Sequence, residues 1–219
     1  MTLAIFDLDH TLINGDSDYL WGEYMVANGI VDEQAYRQRN ADFYQDYQRG
    51  CLDNDSYLAF ALEPLTHYSI EQLYAWRADY VDKWIKPLVA PGTADLLDDH
   101  RQRDHDLVII SATHLFVSEP IGDLVGVPTV LATAPEIIDN RYTGRFLGTP
   151  TYKEGKVTVL REWAQDNGHD LAGAFFYSDS LNDLALLEVV DNPVAVTPDA
   201  DLKRIAQDRN WPIIDLGQA

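Results

Sequence analysis

An apolar run from Leu3 to Phe6 ends in two aspartates, Asp7 and Asp9, with Thr11 two positions later. Consecutive apolar residues of this kind predict a strand that is buried on both faces, as the strands of parallel sheets are. Carboxylates at the end of a buried strand are costly to desolvate, so they need a partner, and a divalent cation is a natural one. The same residues also fit a strand running into a polar turn, with Asp9 or Thr11 capping the next segment. The two interpretations differ in whether the rest of the chain supplies the other parts of a phosphate site.

Further strand-like runs alternate with helical patterns in the second part of the chain. The predicted strands are Asp106–Ser111, Thr129–Ala132, Ala174–Ser178, Pro193–Val196 and Pro212–Ile214, with a hairpin at Ile137–Phe146. This alternation predicts an α/β protein with a Rossmann-like, doubly wound parallel sheet and helices on both faces. Ligands of such folds bind beyond the carboxyl ends of the strands. Asp7, Ser111 and Asp179 each follow a predicted strand, so we expect them on one rim of the sheet.

The segment between the first two predicted strands is helical and rich in aromatic residues. Trp76, Tyr80 and Trp84, for example, are four residues apart, which is a helical spacing. Gly29 and Gly50 divide the segment, and together these features predict about four helices. We expect an all-α helical cap at residues 16–87, inserted into a discontinuous core of residues 1–15 and 88–219. Aromatic residues with this spacing more often pack in a core than contact a substrate, so we favour the packing interpretation. A module inserted here would lie directly over the turn at the first strand.

The charge balance limits the partners that this chain is expected to bind. Sixteen basic and 36 acidic residues give a net charge of -20, which would repel nucleic acid and anionic lipid. Cys51 is the one cysteine, so an intrachain disulfide and a cysteine-rich metal site are excluded. The sequence has no secretory signal and no apolar run near the roughly 18 residues that span a membrane. We therefore expect a cytoplasmic protein with a small-molecule substrate; the oligomeric state is not readable.

The aspartates have the chemistry that phosphoryl transfer requires. Asp7 could attack phosphorus as a nucleophile, and Asp9 could give a proton to the leaving alcohol and later take one from water. Asp179, together with Asp7 and a main-chain carbonyl, would suit an octahedral Mg²⁺ ion. The alternative for Asp179 and Asp183 is a helix cap with an acidic first turn.

Binding of the transferring group also needs hydrogen-bond donors and positive charge. Ser111 and a lysine would supply them. Lys156, which follows Gly155 at the start of a predicted helix, is the better candidate, although taken alone such a lysine is more often solvated. Lys153 is a nearby competitor that spacing does not exclude.

Four segments resemble, in order and spacing, the four motifs of the haloacid dehalogenase superfamily. They are Asp7–Leu12, Ser111–Thr113, Gly155–Val157 and Ser178–Asp183. The resemblance covers nearly the whole chain and is greatest to the phosphoserine phosphatase-like branch (subfamily IB), which has a helical C1 cap just after the first motif. Asp9 argues against the dehalogenase branch, which lacks that acid/base.

The resemblance implies a Mg²⁺-dependent phosphatase that acts through an aspartyl-phosphate. It makes Asp7 the nucleophile and a metal ligand, Asp9 the acid/base with its carbonyl on the metal, and Asp179 a further metal ligand. The phosphate-binding residues that it implies are Ser111, Ala112, Lys156 and Asn182, with Thr11 and Asp183 in support.

Departures from the branch concern the substrate. Phosphoserine phosphatases hold the substrate amine with a glutamate nine residues after the nucleophile, and Asp16 stands at that position here. Ala112 and Thr113 replace the usual glycine pair, which leaves less room beside the phosphate. Some similar proteins act on histidinol phosphate. We therefore expect a small amine-bearing ester of the histidinol phosphate or phosphoserine class.

Three points stay open at this stage. A phosphotransferase would use the same residues but pass the phosphoryl group to an alcohol. A non-catalytic module that binds phospholigands is the other alternative, which the joint presence of the aspartates and the lysine disfavours. No partner for a substrate carboxylate stands out among the similar candidates Arg37, Arg39 and Arg49.

Overall fold

The computed structural model describes residues 2–217. Its strands are β1 (Leu3–Phe6), β2 (Asp106–Ile110), β3 (Val130–Leu131), β4 (Ala134–Ile138), β5 (Arg141–Leu147), β6 (Phe175–Ser178), β7 (Asn192–Val196) and β8 (Ile213–Ile214). Six of them form one sheet in the order β3-β2-β1-β6-β7-β8, and every neighbouring pair is parallel. The predicted doubly wound parallel sheet is confirmed.

The predicted hairpin forms a small sheet of its own. Strands β4 and β5 pair in antiparallel fashion outside the main sheet. Asp139 and Asn140 connect them with φ values of 50° and 59°. Aspartate and asparagine adopt this left-handed conformation more readily than most residues, which explains why they form the turn.

The helices are α1 (Ser17–Ala27), α2 (Glu33–Gln48), α3 (Asn54–Leu62), α4 (Ile70–Tyr80), α5 (Thr93–Gln102), α6 (Leu115–Val125), α7 (Glu154–Asp166), α8 (Leu184–Leu187) and α9 (Ala200–Arg209). Asp16, Asp32 and Asp53 cap the first three, since each side chain accepts a hydrogen bond from a first-turn amide. The four helices α1 to α4 lie between β1 and β2, as expected; the division into core and cap stays a prediction. None of the helices within residues 2–217 is long and apolar enough to cross a bilayer.

Strand β1 is central in the sheet and buried on both faces. Leu3 and Ile5 belong to one hydrophobic cluster, which includes Leu160 of α7. Ala4 and Phe6 belong to the other cluster, which continues into α1 through side chains such as Trp21. Successive side chains of a strand point to opposite faces, so the apolar run of β1 serves both layers.

Helix α6 is an element that the sequence pattern did not predict. Pro120 lies inside it and has no N–H to donate to the carbonyl of Phe116. Arg77 of α4 fills this place, because its Nη1 donates to Phe116 O at 3.0 Å. The carbonyl that the proline would leave unsatisfied thus links α4 to α6.

Candidate active site

The carboxyl ends of three strands bring the predicted site residues together. Phe6 at the end of β1 is level with Ile109 of β2 and Tyr177 of β6. Asp7 continues β1 and donates its backbone N–H to Tyr177 O at 2.9 Å. Asp7, Ser111 and Asp179 therefore follow adjacent strands at the edge where α/β sheets bind ligands.

Lys156 is buried beneath Asp7. Its Nζ lies 2.7 Å from Asp7 Oδ1 and 2.8 Å from Asp183 Oδ2, and the Ser178 hydroxyl donates to the same Asp183 oxygen at 2.8 Å. A Cβ at Gly155 would overlap the carbonyl oxygen of Pro150, so glycine lets α7 begin here. Burial lowers the pKa of Lys156, but attraction by the two carboxylates outweighs it and holds the pKa above its ordinary value. The ammonium therefore stays charged.

Carboxylates outnumber cations around this lysine. Asp7 and Asp183 are buried and Asp179 is partly buried beside them, whereas Lys156 supplies one positive charge. Burial raises the pKa of Asp7 to about 7, with attraction by Lys156 opposing the rise. Burial and then repulsion by Asp7 raise the pKa of Asp179 well above its ordinary value. A further cation placed between these two carboxylates would relieve their repulsion.

A hard divalent cation fits this donor set. Within the described part of the chain, no three side chains of histidine, cysteine, aspartate or glutamate form a ready ligand group. Mg²⁺ does not need such a group, since it commonly takes one or two carboxylates and completes its octahedron with phosphate and water oxygens. Asp7 and Asp179 would provide the two carboxylates. Thr11 Oγ1 donates to Asp179 Oδ1 at 3.3 Å and orients it.

Both carboxylate oxygens of Asp9 are held. Oδ1 accepts from the Ser17 backbone N–H at 2.7 Å, and Oδ2 accepts from Thr113 Oγ1 at 2.7 Å. Burial and then repulsion by Asp16 raise the pKa of Asp9 to about 6, against hydrogen bonds from Ser17 and Thr113 that lower it. A carboxyl group that titrates near neutrality can both give and take a proton. The sequence predicts only that Thr113 takes up room beside the phosphate; its hydrogen bond to Asp9 is visible only in the fold.

The loop after β2 is fixed by its own hydrogen bonds. Ser111 Oγ accepts from the Thr113 N–H at 3.1 Å, and Ser111 O accepts from Thr151 Oγ1 at 2.7 Å. The proton of the Ser111 hydroxyl is not used in the first of these bonds and can be donated to a ligand. Ala112 lines the cavity beside Asp7 and Asp9.

Lys153 and Asn182 bind the C-terminal end of α2 and the residues that follow it. Lys153 Nζ donates to Gly50 O at 2.7 Å, and Asn182 Nδ2 donates to Tyr47 O at 3.1 Å. Of the two candidate lysines, Lys156 is thus the one at Asp7. Asn182 contacts the helical segment in this way, and its phosphate contact stays a prediction.

A cavity lies between the loops at the carboxyl ends of the strands and helices α1, α2 and α3. Its lining consists mainly of carboxylates and aromatic rings: Asp7, Asp9, Asp16, Asp18, Tyr19, Asn40, Phe43, Tyr44, Tyr47, Leu52, Asn54, Tyr57, Ala112, Thr113 and Tyr152. Asp16 Oδ1 accepts the backbone N–H groups of Asp18 at 3.1 Å and Tyr19 at 2.7 Å, so Asp16 is both helix cap and cavity wall. Burial raises the pKa of Asp16 to about 6.

The aromatic residues of the helical segment divide into two groups. Trp21, Tyr24 and Tyr80 are buried in the core, as the packing interpretation expected. Tyr44 and Tyr57, by contrast, line the cavity. The helical period is the same for both groups, so the pattern could not separate them.

Three comparisons relate the chain to known proteins. A family model for haloacid dehalogenase-like hydrolases matches residues 4–188. A histidinol-phosphatase of Neisseria meningitidis serogroup C (strain 8013) is 42% identical over 218 residues, which cover 98% of each chain. The crystal structure of a protein of unknown function from Bordetella pertussis Tohama I has a TM-score of 0.93 at 40% identity, covering 99% of this chain and 100% of that one. A phospho-aspartyl intermediate analogue of phosphoserine phosphatase shares the fold, with a TM-score of 0.70 at 17% identity over 99% of this chain and 94% of that one.

Proposed function

The chain belongs to the haloacid dehalogenase-like hydrolases and is a phosphatase of that type, and we propose that it hydrolyses small phosphate monoesters through a phosphoryl group carried on Asp7. The contact of Lys156 Nζ with Asp7 Oδ1 at 2.7 Å carries this proposal. It puts a buried positive charge next to a carboxylate at a strand end. The carboxylate would attack an incoming phosphate, and the positive charge would offset the negative charge of that phosphate.

In the first step a carboxylate oxygen of Asp7 attacks phosphorus, and the bond between phosphorus and the ester oxygen breaks. Lys156 and the Ser111 hydroxyl offer donors to the phosphoryl oxygens as charge builds on them. Ala112 contributes the wall beside the phosphate. Asp9, protonated at this stage, gives its proton to the departing alcohol oxygen.

In the second step a water molecule attacks the phosphorus of the aspartyl-phosphate. Asp9, now ionised, takes the proton of that water, so the group that was an acid in the first step is a base in the second. Inorganic phosphate leaves, and the carboxylate of Asp7 and the proton on Asp9 are restored. The two hydrogen bonds to Asp9 from Ser17 and Thr113 keep it in place for both steps.

We propose that Asp7, Asp179 and the main-chain carbonyl of Asp9 hold Mg²⁺, with Thr11 and Asp183 positioning them. When bound, the ion offsets the repulsion between Asp7 and the phosphate and stabilises charge in the transition state. The surplus of carboxylates over cations at this rim supports the assignment. Asn182 Nδ2 donates one of its two hydrogens to Tyr47 O, and the second would donate to a phosphate oxygen.

The substrate is proposed to be a small ester that carries an amine, of the histidinol phosphate or phosphoserine class. Asp16 lies in the cavity wall with one oxygen occupied by amide groups, and it would receive the ammonium with the other. The relative described as a histidinol-phosphatase supports this class. The cytoplasmic location and the lack of nucleic-acid or membrane partners stay predictions.

The test is release of inorganic phosphate from an aryl phosphate and from histidinol phosphate. We expect turnover with Mg²⁺, loss of turnover with a chelator and recovery when Mg²⁺ is restored. Product analysis with added alcohol separates hydrolysis from transfer, since a phosphotransferase would yield a new ester. Folded protein that releases no phosphate from any ester under these conditions would refute the proposal.

A further inference from the structure

The cavity has more negative charge than the proposed chemistry uses. Four of its lining residues are aspartates, and Asp16 and Asp18 lie beyond the pair that performs the chemistry. Over residues 2–217, the lining includes no arginine, lysine or histidine. The wall that faces the alcohol portion of an ester is therefore anionic and aromatic.

Asp18 is the less expected of these two carboxylates. It is 9% exposed, on the first turn of α1, and its neighbours there are the Tyr57 hydroxyl and His114, whose Nε2 is 3.5 Å from Asp18 Oδ1. Burial raises the pKa of Asp18 to about 7, and a hydrogen bond from Tyr57 only partly offsets the rise.

His114 does not neutralise that carboxylate. It is fully buried, and burial lowers its pKa to about 4, so its imidazole is neutral at physiological pH. Among the described residues neither ring nitrogen of His114 has a hydrogen-bond partner. Asp18 is thus a buried carboxylate in the cavity wall whose histidine neighbour is neutral, which indicates a positively charged group that is supplied from outside the chain.

The basic side chains of the helical segment have other partners. The arginines contact carboxylates, rings or a carbonyl: Arg37 with Glu23 and Glu33, Arg49 with Asp46, Arg39 with the rings of Phe43 and Phe60, and Arg77 with Phe116 O. Lys83 and Lys86 pair with Asp79 and Asp82. A carboxylate on the substrate would meet Asp16 and Asp18 without a counter-ion, which is strongly unfavourable in a desolvated site.

We infer that this site selects a phosphate ester with two basic groups and no carboxylate, and that Asp18 determines the specificity by binding the second basic group. This inference rests on the proposed phosphatase function. Asp16 takes the amine, and Asp18 and Tyr57 form the subsite for the other group, with the buried His114 beside Asp18 and outside the cavity lining. The rings of Tyr19 and Tyr44 add faces on which a flat cationic heterocycle can stack. Histidinol phosphate meets these requirements, whereas the carboxylate of phosphoserine violates them.

The experiment compares kcat/KM for three esters and an aryl phosphate. Histidinol phosphate has two basic groups, ethanolamine phosphate has one amine, and phosphoserine has an amine with a carboxylate. The expected order is histidinol phosphate, then ethanolamine phosphate, then phosphoserine, with a step of at least about tenfold at each stage. Asp18→Asn should lower kcat/KM for histidinol phosphate at least about tenfold more than for ethanolamine phosphate. Asp42→Asn, an equal charge change on the exposed side of α2, should leave all ratios as in wild type.

A second readout does not depend on turnover of the selected substrate. Histidinol, which lacks the phosphate, should inhibit aryl phosphate hydrolysis competitively, and Asp18→Asn or Tyr57→Phe should weaken that inhibition. Phosphoserine turned over as well as histidinol phosphate, or an equal loss for all esters in Asp18→Asn, would overturn the inference while leaving the phosphatase intact. Failure of every ester, the aryl phosphate included, would overturn the proposed function itself.

Discussion

The Lys156 ammonium donates a hydrogen bond to Asp7 Oδ1 at 2.7 Å, although 149 positions separate the two residues. The contact joins the loop after β1 to the first turn of α7, so the site is assembled only when the sheet and its helices are in place. It also makes the proposed nucleophile dependent on one buried cation for both its ionisation and its position.

Replacing that cation should damage catalysis and folding together. Lys156→Met is expected to lower kcat/KM for an aryl phosphate by about 10²–10³. It should also reduce the free energy of unfolding by about 3–5 kcal/mol, because Asp7 and Asp183 would stay buried without a cation. Steady-state kinetics and urea titration measure the two effects. Lys153→Met is the matched control, and an equal loss of activity in that variant would contradict the assignment.

Removal of the acid/base should depend on the leaving group. Asp9→Asn is expected to lose about 10²–10⁴ in turnover of an alkyl ester, whose alkoxide needs a proton to leave. The first step with an aryl phosphate should suffer less, since a phenolate departs more easily without one. Rapid-quench measurement of the two esters separates the steps. Identical losses for both leaving groups would exclude proton donation by Asp9.

Asp18→Asn is expected to stabilise the protein in a pH-dependent way. The folded-state pKa of Asp18 is raised to about 7 from an ordinary 3.8, so ionised Asp18 opposes folding at neutral and higher pH. The shift corresponds to a stability gain on the order of 3–4 kcal/mol for the variant at about pH 8. The gain should shrink as the pH falls through about 7 and vanish below about 4, where Asp18 is protonated in both states. Urea unfolding of the two proteins across this range checks the sign, and a gain that grew toward acid would contradict it.

The carboxylates around Lys156 should make divalent cations stabilising. Mg²⁺ in large excess over its dissociation constant is expected to raise Tm, since it binds the folded state; an excess of about 100-fold corresponds to about 2.7 kcal/mol. Asp179→Asn should raise Tm without metal, by removing one repelled carboxylate, and should reduce the further rise caused by Mg²⁺. A Tm of wild type that is insensitive to Mg²⁺ would argue against a metal at Asp7 and Asp179.

Several parts of the site could be predicted because they lie on local patterns. Asp7 and Asp179 follow buried strands, and a parallel sheet brings such strand ends together whatever the details of packing. The partner of Lys156, Asp7, is distant in sequence, so spacing alone does not distinguish Lys156 from Lys153. The structure separates Lys156 from Lys153 by their contacts, since Lys156 Nζ donates to Asp7 Oδ1 and Lys153 Nζ donates to Gly50 O.

Other parts depend on tertiary contacts that no pattern encodes. The approach of His114 to Asp18 requires α1 to pack against the start of α6, a helix that the sequence pattern did not predict. The amide of Asn182 contacts Tyr47 O because the end of α2 docks on it. Such positions are set by packing between elements.

The central claim is that Asp7 carries the phosphoryl group, and trapping that intermediate tests it most directly. An aryl phosphate is mixed with the enzyme and Mg²⁺, the reaction is quenched in acid within one turnover, and peptides are examined by mass spectrometry. We expect one added phosphoryl group on the peptide that contains Asp7, and neither phosphorylation nor turnover in Asp7→Asn. Phosphorylation at another residue, or undiminished turnover by Asp7→Asn, would contradict the account.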